Sequence, residues 1–358
     1  MKTKEKSKFR LFLEKRNILL SPKVYFIDAM SSMALGLFAS LLIATILDTL
    51  STWMNWAFLA EAASFAKSAT GAALGVAIAY ALKAPPLVLV SAAAVGYAGN
   101  NLGATFLIDG AEKVLTAGPA GAFVAAIIAV ELGKLVSKAT KVDILVTPTV
   151  TILAGTAIAK LACPTIAYLM YVLGNFVNTA TEMQPLLMGI IVAVVVGIVL
   201  TLPISSAALC AMISISGLAG GAATVGCCAQ MVGFAVISFR ENRWSGLVAQ
   251  GLGTSMLQMG NICRRPAIWI PPTLAAAVCG PLSTMLFKLE CVGVSAGMGT
   301  CGMVGPLGIL SAMPEGGTMM WIGILVACIL LPALLSLLFD AILRKIGWIH
   351  EGDMKLEL

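Results

Sequence analysis

Polar side chains able to form several hydrogen bonds occur at a few places in an otherwise apolar sequence. Thr254, Gln258 and Asn261 are spaced at i, i+4 and i+7, so one α-helix would carry all three on the same face. Amide groups donate and accept hydrogen bonds, and the hydroxyl groups of a sugar or polyol need both kinds of partner together. This spacing therefore predicts a surface that binds a polyhydroxylated solute.

Further polar candidates interrupt the apolar runs in the first and middle parts of the chain. They are Asn100 and Asn101 in a glycine-rich stretch, Glu182 between two long apolar runs, and Ser205 with Ser206 in the longest charge-free run. Such groups are costly within apolar spans and are usually functional there. We predict that they line the same solute site. Serine and threonine also hydrogen-bond between packed helices, and this alternative stays open for each hydroxyl.

Residue types that support soluble-enzyme chemistry are missing or scattered. The only histidine is His350 in the polar tail, so no Ser/His/Asp set can form within the apolar runs. No Walker sequence is present, and none of the nine cysteines forms a CxxC pair that would chelate a metal. The sequence predicts no catalytic residue, no metal site and no cofactor. The cysteines are expected to be small apolar packing residues.

The composition identifies the environment that positions these side chains. Hydrophobic residues make up 59% of the 358 residues, charged residues only 11%, and the mean hydropathy is +0.97. Soluble domains contain about 25% charged residues, so a chain with this few could not cover a water-exposed surface. The sequence therefore predicts an all-α, polytopic integral membrane protein.

Apolar runs and their prolines predict the number and shape of the spans. A spanning helix needs about 20 mainly apolar residues, and the charge-free runs accommodate about eight to ten full helices with shorter pieces. Prolines such as Pro148, Pro164, Pro203 and Pro281 fall within or beside these runs. Proline interrupts helical hydrogen bonds, and lipid tolerates this only where the backbone is buried or lines a cavity. We therefore expect broken helices and re-entrant hairpins, as in transporters.

Charge at the N-terminus predicts the orientation of the chain. Between Met1 and Lys23 there are eight basic and two acidic residues, a balance of +6 that equals the net charge of the whole chain. A basic segment before the first span stays in the cytoplasm. Its interleaved apolar residues also suit a helix lying on an anionic membrane surface, although a purely orienting segment explains the same pattern.

Basic residues near the other end place it on the same side. Arg344 and Lys345 follow the last apolar run, which favours a cytoplasmic C-terminus. We predict a basic amphipathic segment at 1–24, a transmembrane domain at 25–345 and a polar cytoplasmic tail at 346–358.

Several segments of the chain carry a resemblance to one family of membrane proteins. They are Leu202–Leu209 (LPISSAAL), Gly251–Asn261 (GLGTSMLQMGN), Arg265–Pro272 (RPAIWIPP), Gly280–Thr284 (GPLST) and Gly297–Thr300 (GMGT). In order and spacing they resemble the IIC-type membrane component of the sugar phosphotransferase system, in the branch that includes regulators of perfringolysin-type toxins. The similarity spans about residues 20 to 345.

The resemblance implies a multi-pass sugar permease of the bacterial inner membrane. It implies a homodimer, a transport region with re-entrant hairpins, and phosphorylation of the solute by separate cytoplasmic IIA and IIB phospho-carrier subunits. Within the resembling segments, Thr300 joins the expected solute-binding residues. Any enzymatic role would be that of the membrane subunit of a sugar phosphotransferase, and no nucleic-acid partner is expected.

One departure from the family pattern keeps other functions open. Many IIC components carry an intramembrane histidine and glutamate near the sugar. Here no histidine lies within the apolar runs, and Glu182 is the only acidic residue between Asp143 and Glu241. Two hypotheses therefore stand beside the permease: a membrane-embedded sensor or regulator that keeps the IIC fold without phosphotransfer, and a transporter of another small solute.

Overall fold

The computed structural model describes residues 13, 16–19, 21–108, 111–213 and 215–356, so the segment predicted to lie on the membrane surface falls largely outside it. The described chain is helical almost throughout, which confirms the all-α prediction. Its first α-helices are α1 (Met30–Leu37), α2 (Ile43–Met54), α3 (Ala57–Ser68), α4 (Thr70–Ala81), α5 (Pro86–Asn101), α6 (Gly118–Val136) and α7 (Asp143–Thr181).

The α-helices of the second half are shorter and more often interrupted. They are α8 (Pro185–Thr201), α9 (Ser206–Met212), α10 (Gly217–Ile237), α11 (Phe239–Val248), α12 (Met259–Arg264), α13 (Ile270–Pro281), α14 (Gly293–Ala296), α15 (Val304–Ala312), α16 (Gly317–Leu325) and α17 (Leu331–Ile346).

Helical segments of other types join or interrupt these helices. The π-helical segments are Val24–Ala29, Phe38–Leu42, Ala249–Gly253, Leu282–Leu286 and Val326–Leu330. The 3₁₀ segments are Ser255–Gln258, Pro266–Trp269 and Cys301–Met303. Strands β1 (Gly103–Ile108) and β2 (Ala111–Thr116) pair in a two-stranded sheet that the hydropathy pattern did not predict.

The long apolar helices confirm a multi-pass membrane protein. Six helices of the described chain are long and apolar enough to cross a membrane, or seven if the bent pair α3 and α4 counts as one span. This is fewer than the eight to ten expected from the charge-free runs. The difference arises because the apolar stretches Pro185–Thr201 and Cys301–Ala312 form helices shorter than a full span.

Prolines mark helix beginnings more often than breaks. Pro86, Pro185 and Pro332 lie in the first turn of α5, α8 and α17, where the missing N–H has no helical partner to lose. Pro148 and Pro164, by contrast, lie inside the continuous 39-residue helix α7, so the interruption expected there is absent. The predicted discontinuous helices occur instead in the second half of the chain.

The described residues form two compact units. Unit 1 is drawn from Met1–Leu37, Ala69–Ala104 and Thr116–Ile166, and unit 2 from Phe38–Ser68, Thr105–Leu115 and Ala167–Leu358.

Small residues allow close helix packing in unit 1. A Cβ atom placed on Gly75 of α4 would lie 2.0 Å from the carbonyl oxygen of Ala92 on α5, so only glycine permits this approach.

At the end of α6 the buried Lys134 donates hydrogen bonds to both carboxylate oxygens of Glu131, at 3.1 and 3.2 Å, and to the carbonyl of Asn17 at 3.1 Å. All three ammonium protons therefore have partners.

Unit 2 is built around α10, whose residues are almost all buried. This helix packs against α8, α13 and α17. The approach to α8 requires Gly226, since a Cβ atom there would lie 2.0 Å from the carbonyl oxygen of Ala193. The surrounding core holds most of the cysteines as buried apolar residues.

Candidate functional site

An open cavity of about 210 Å³ lies in unit 2. We call it the hydroxyl pocket because its polar lining is one carboxylate and four hydroxyl groups, from Asp48, Thr49, Thr52, Ser295 and Ser311. The remaining lining residues are Val292, Val304, Leu307 and Gly308. A carboxylate accepts hydrogen bonds and a hydroxyl both donates and accepts. This combination matches the hydrogen-bonding needs of a polyhydroxylated molecule.

Three helices position the lining of the hydroxyl pocket. Asp48 and Thr52 lie one turn apart on α2 and so share a face. The hydroxyls of Thr49 and Thr52 donate to backbone carbonyls one turn earlier, at 2.9 and 3.1 Å, which leaves their lone pairs as acceptors. On the other side, α15 approaches α14 closely because residue 308 is glycine: a Cβ atom on Gly308 would lie 2.4 Å from that of Ser295.

An ion pair lies at the edge of the hydroxyl pocket. Asp48 Oδ2 is 2.5 Å from Lys67 Nζ, and the two side chains are 48% and 38% exposed. A carboxylate offers about four acceptor positions, so Asp48 keeps capacity for a solute while it is paired with Lys67.

A second polar group of unit 2, the amide cluster, consists of Asn242, Gln250, Gln258 and Asn261. Gln258 Nε2 donates to Gln250 Oε1 at 2.9 Å, and Asn261 Nδ2 donates to Gln258 Oε1 at 2.8 Å. Gln250 Nε2 in turn donates to Ser238 Oγ at 2.8 Å. Gln250 and Gln258 are completely buried, so these amides form a connected internal network.

The amide cluster also binds the backbone of residues 350–356, which we call the C-terminal segment. Gln258 Nε2 donates to the carbonyl of Met354 at 3.0 Å, and Asn261 Nδ2 donates to that of Lys355 at 3.0 Å. Asn242 Nδ2 donates to the same Met354 carbonyl at 2.8 Å. The side chains predicted to contact a solute therefore contact the protein's own tail in this structure.

Thr254 does not lie on one α-helix with Gln258 and Asn261, so the predicted single helical face is wrong. Its backbone is extended (φ −159°, ψ 144°), and its Oγ1 accepts a hydrogen bond from Met256 N at 3.1 Å, which caps the 3₁₀ segment. The α-helix α12 begins only at Met259. Gln258 and Asn261 still meet because they are three residues apart.

Ser206 and Thr300 connect the segments that carried the family resemblance. Ser206 Oγ donates to the carbonyl of Gly297 at 2.7 Å, and Thr300 Oγ1 donates to that of Gly251 at 2.5 Å. Both hydroxyls are buried. The structure thus brings the segments at 202–209, 251–261 and 297–300 into contact, and it uses these two predicted residues to join them.

The remaining predicted residues are dispersed. Asn100 is half-buried in the last turn of α5, and the exposed Asn101 donates to the carbonyl of Tyr97 at 2.8 Å. Glu182 is exposed on the turn between α7 and α8, and Ser205 is half-buried just before α9. The two asparagines belong to unit 1, whereas the other seven predicted residues belong to unit 2.

Sequence reasoning missed two polar residues, one in a buried hydrogen-bond network and one in the lining of the hydroxyl pocket. Gln230 is completely buried in α10, where its Nε2 donates to Thr273 Oγ1 at 3.0 Å and its Oε1 accepts from Trp269 Nε1 at 3.1 Å. Its signal was available, because it is the one amide in an otherwise apolar 21-residue helix. Asp48 carried a similar signal as a carboxylate near the end of the apolar helix Val24–Thr52.

Potential metal ligands and thiols are the remaining chemically reactive side chains in the described part of the chain. No three histidine, cysteine, aspartate or glutamate side chains come together there as metal ligands. All nine cysteines are free thiols, and only Cys263 is exposed. Their burial agrees with a packing role.

Comparison with known proteins identifies the family. A family model described as "Phosphotransferase system, EIIC" matches residues 27–356. The match covers the hydroxyl pocket and nearly all of the described chain, and it does not test the resemblance to the toxin-regulator branch. No curated protein and no solved structure matches the chain. Because the family model spans nearly the entire sequence, the chain belongs to the EIIC family of phosphotransferase-system membrane components.

Proposed function

We propose that this protein is a permease for a sugar or polyol and that the hydroxyl pocket is its binding site. The observation that carries the proposal is the convergence of one carboxylate and four hydroxyls on a single open cavity. Membership of the EIIC family implies a polar solute and cytoplasmic IIA and IIB partners in general. The pocket chemistry specifies that solute further, as a molecule with several adjacent hydroxyl groups.

The size of the hydroxyl pocket favours a small solute. Its volume of about 210 Å³ is below the roughly 300–1,000 Å³ typical of drug-sized ligand sites. A monosaccharide or a hexitol is therefore the best class of candidate. A neutral solute is also favoured, since Asp48 and Lys67 neutralise each other at the edge of the pocket.

The elements around the hydroxyl pocket suit transport by alternating access. One side is the regular helix α2, and the other is the short, interrupted segment from α14 to α15. Positive φ angles at Gly299, Gly302 and Met303 interrupt the helical backbone between them. Discontinuous helices of this kind form the binding sites of many secondary transporters. We infer that movement between these two sides alternates access to the solute.

Charge supports the same topology as the N-terminal sequence did. The segments 239–248, 259–265 and 340–356 contain seven Lys and Arg residues against four Asp and Glu residues. By the positive-inside rule, these three segments lie on the cytoplasmic side of the membrane. The proposal includes a transmembrane domain at 25–345, flanked by cytoplasmic segments at 1–24 and 346–358, in a homodimer of the bacterial inner membrane. Separate IIA and IIB subunits then phosphorylate the solute.

Uptake of labelled solutes tests this proposal. Cells that lack endogenous sugar permeases would express the chain with and without IIA and IIB subunits and receive ¹⁴C-labelled glucose, fructose, mannitol or galactitol. We expect one of these probes to accumulate, and recovery as a phosphate ester would demonstrate group translocation. Asp48→Asn should abolish most of the uptake, whereas Glu315→Gln, a matched change at an exposed position, should not.

Two outcomes would contradict the permease function. One is that no probe enters although the protein reaches the membrane in normal amounts. The other is that adding a probe changes the expression of other genes without any uptake, which would favour the sensor hypothesis. Accumulation of unmodified solute in the presence of IIA and IIB would retain transport and remove phosphotransfer.

A further inference from the structure

The C-terminal segment turns back onto unit 2 after the last helix. α17 ends at Ile346, and Gly347 reverses the chain with a φ of 83°, a left-handed conformation that favours glycine. Beyond it, the side chains of Ile349 and Met354 are buried. The carboxylate of Asp353 accepts a hydrogen bond from the backbone N–H of His350 at 2.8 Å and holds the turn.

Side chains of α11 bind the backbone of this segment as a neighbouring strand would. Asn242 Nδ2 donates to the carbonyl of Met354 at 2.8 Å, and its Oδ1 accepts from the N–H of Leu356 at 2.8 Å. The carboxylate of Glu241 accepts from the N–H of Met354 at 2.9 Å. Recognition of alternate backbone groups in this way does not depend on the side chains of the segment.

The N–H donors of Gln258 and Asn261 are all used by contacts within the cluster and with the C-terminal segment. A primary amide has two N–H donors. The donors of Gln258 are directed to Gln250 and Met354, and those of Asn261 to Gln258 and Lys355. Neither residue retains a donor for a solute while the segment is bound. If the segment left, one donor on each amide would become available in a polar cleft.

We propose that His350–Leu356 is a displaceable strap that occupies the donors of Gln258 and Asn261, in a cleft separate from the hydroxyl pocket, and that the resting protein is autoinhibited while the strap is bound. This rests on the permease function proposed above. The strap is held by side-chain-to-backbone hydrogen bonds and by an ion pair between Arg265 and Asp353 at 3.7 Å. Water can replace the contacts at the edge of the strap, because the half-buried Asn242 and the largely exposed Arg265 both reach solvent, whereas the contacts of Gln258 and Asn261 are buried and would break only as the strap leaves. Release of the strap exposes Gln258 and Asn261.

Cysteine accessibility measures whether the strap is bound. In a full-length chain with Cys263→Ser, Met354→Cys introduces a thiol at a buried position, while the other native cysteines remain buried. Its reaction with a polyethylene-glycol maleimide is followed as a gel shift in membranes. Asn242→Ala, which removes two backbone contacts, should raise the labelling rate about tenfold or more. Asn178→Ala, at an exposed position on α7, is the matched control.

The outcomes separate the strap from the permease function. Rapid labelling of the introduced thiol without the Asn242 change, or an unchanged rate with it, would overturn the strap. A released strap with unaltered uptake of the transported probe would overturn autoinhibition, since we expect uptake to rise severalfold. If no probe is taken up by any form, the permease function fails, and the labelling ratio still decides whether the strap is displaceable.

Discussion

The hydroxyl pocket and the amide cluster are both polar groups of unit 2, yet their hydrogen bonds differ in kind. In the amide cluster, donors and acceptors are directed at one another and at the tail. In the hydroxyl pocket, the threonine hydroxyls retain acceptor capacity and the Asp48 carboxylate is half-exposed. A saturated network mainly stabilises one conformation, whereas an unsaturated one can bind a solute. Substitutions should therefore affect stability in the first region and solute affinity in the second.

The largest expected effect is on stability, at the centre of the amide cluster. Gln258→Leu would leave the Oε1 of Gln250 and one donor of Asn261 without partners, and it would remove one of the two donors to the carbonyl of Met354. Buried groups that lose their partners cost about 1–3 kcal/mol each, so we expect the free energy of unfolding to fall by about 3 kcal/mol. Denaturant unfolding followed by tryptophan fluorescence measures this. The control Gln184→Leu, at an exposed position, should leave the free energy of unfolding unchanged. Equal stability of both variants would contradict the stabilising role of the amide cluster.

The next effect is on transport, at the hydroxyl pocket. Asp48→Asn removes the charge that strengthens hydrogen bonds to solute hydroxyls, and we expect uptake efficiency to fall about 10- to 100-fold. Thermal stability should stay nearly unchanged, because the amide oxygen of Asn at position 48 can still accept a hydrogen bond from Lys67. A variant that loses stability and keeps normal uptake would reverse the roles of the two regions.

A smaller effect is expected for a single neutral hydroxyl of the pocket. Ser295→Ala removes one hydrogen bond to the solute, worth about 0.5–1.5 kcal/mol, so the KM for uptake should rise about threefold to tenfold. Ser68→Ala, at an exposed hydroxyl outside the pocket, provides the control. An effect of equal size in both variants would argue that Ser295 does not contact the solute.

The smallest effect is expected at Glu182. This carboxylate is exposed on the turn between α7 and α8 and does not line the hydroxyl pocket. Glu182→Gln should change uptake less than about twofold, since the side chain is exposed and makes no contact with a solute in the pocket. A loss comparable to that of Asp48→Asn would return Glu182 to the binding site and extend the site beyond the pocket.

Hydropathy was sufficient to predict the fold class, because burial of apolar helices in lipid depends on composition over about 20 residues. It was also sufficient to predict that Gln258 and Asn261 make specific hydrogen bonds, since amides in an apolar segment require partners. Their partners could not be predicted. Met354 and Lys355 lie 96 and 94 residues further along the chain, and only the return of the tail after Gly347 brings them close.

The local backbone conformation was the second feature that could not be predicted from the sequence. The spacing from Thr254 to Asn261 fits an α-helix, but the π-helical segment Ala249–Gly253 and the extended Thr254 divide this stretch into short pieces. Asp48 was overlooked for a different reason. A carboxylate at the end of an apolar run is readily interpreted as the boundary of the span. Its role in the pocket depends on Ser295 and Ser311, which lie about 250 residues away in sequence.

Direct binding to the purified protein tests the central claim, that the hydroxyl pocket holds the solute. The ¹⁴C-labelled probe taken up by cells would be titrated against the full-length chain in lipid nanodiscs. We predict saturable binding that is weakened at least about tenfold by Asp48→Asn and about threefold by Ser295→Ala, but retained by Gln184→Leu and Glu315→Gln. Undiminished affinity in both pocket variants would contradict the account.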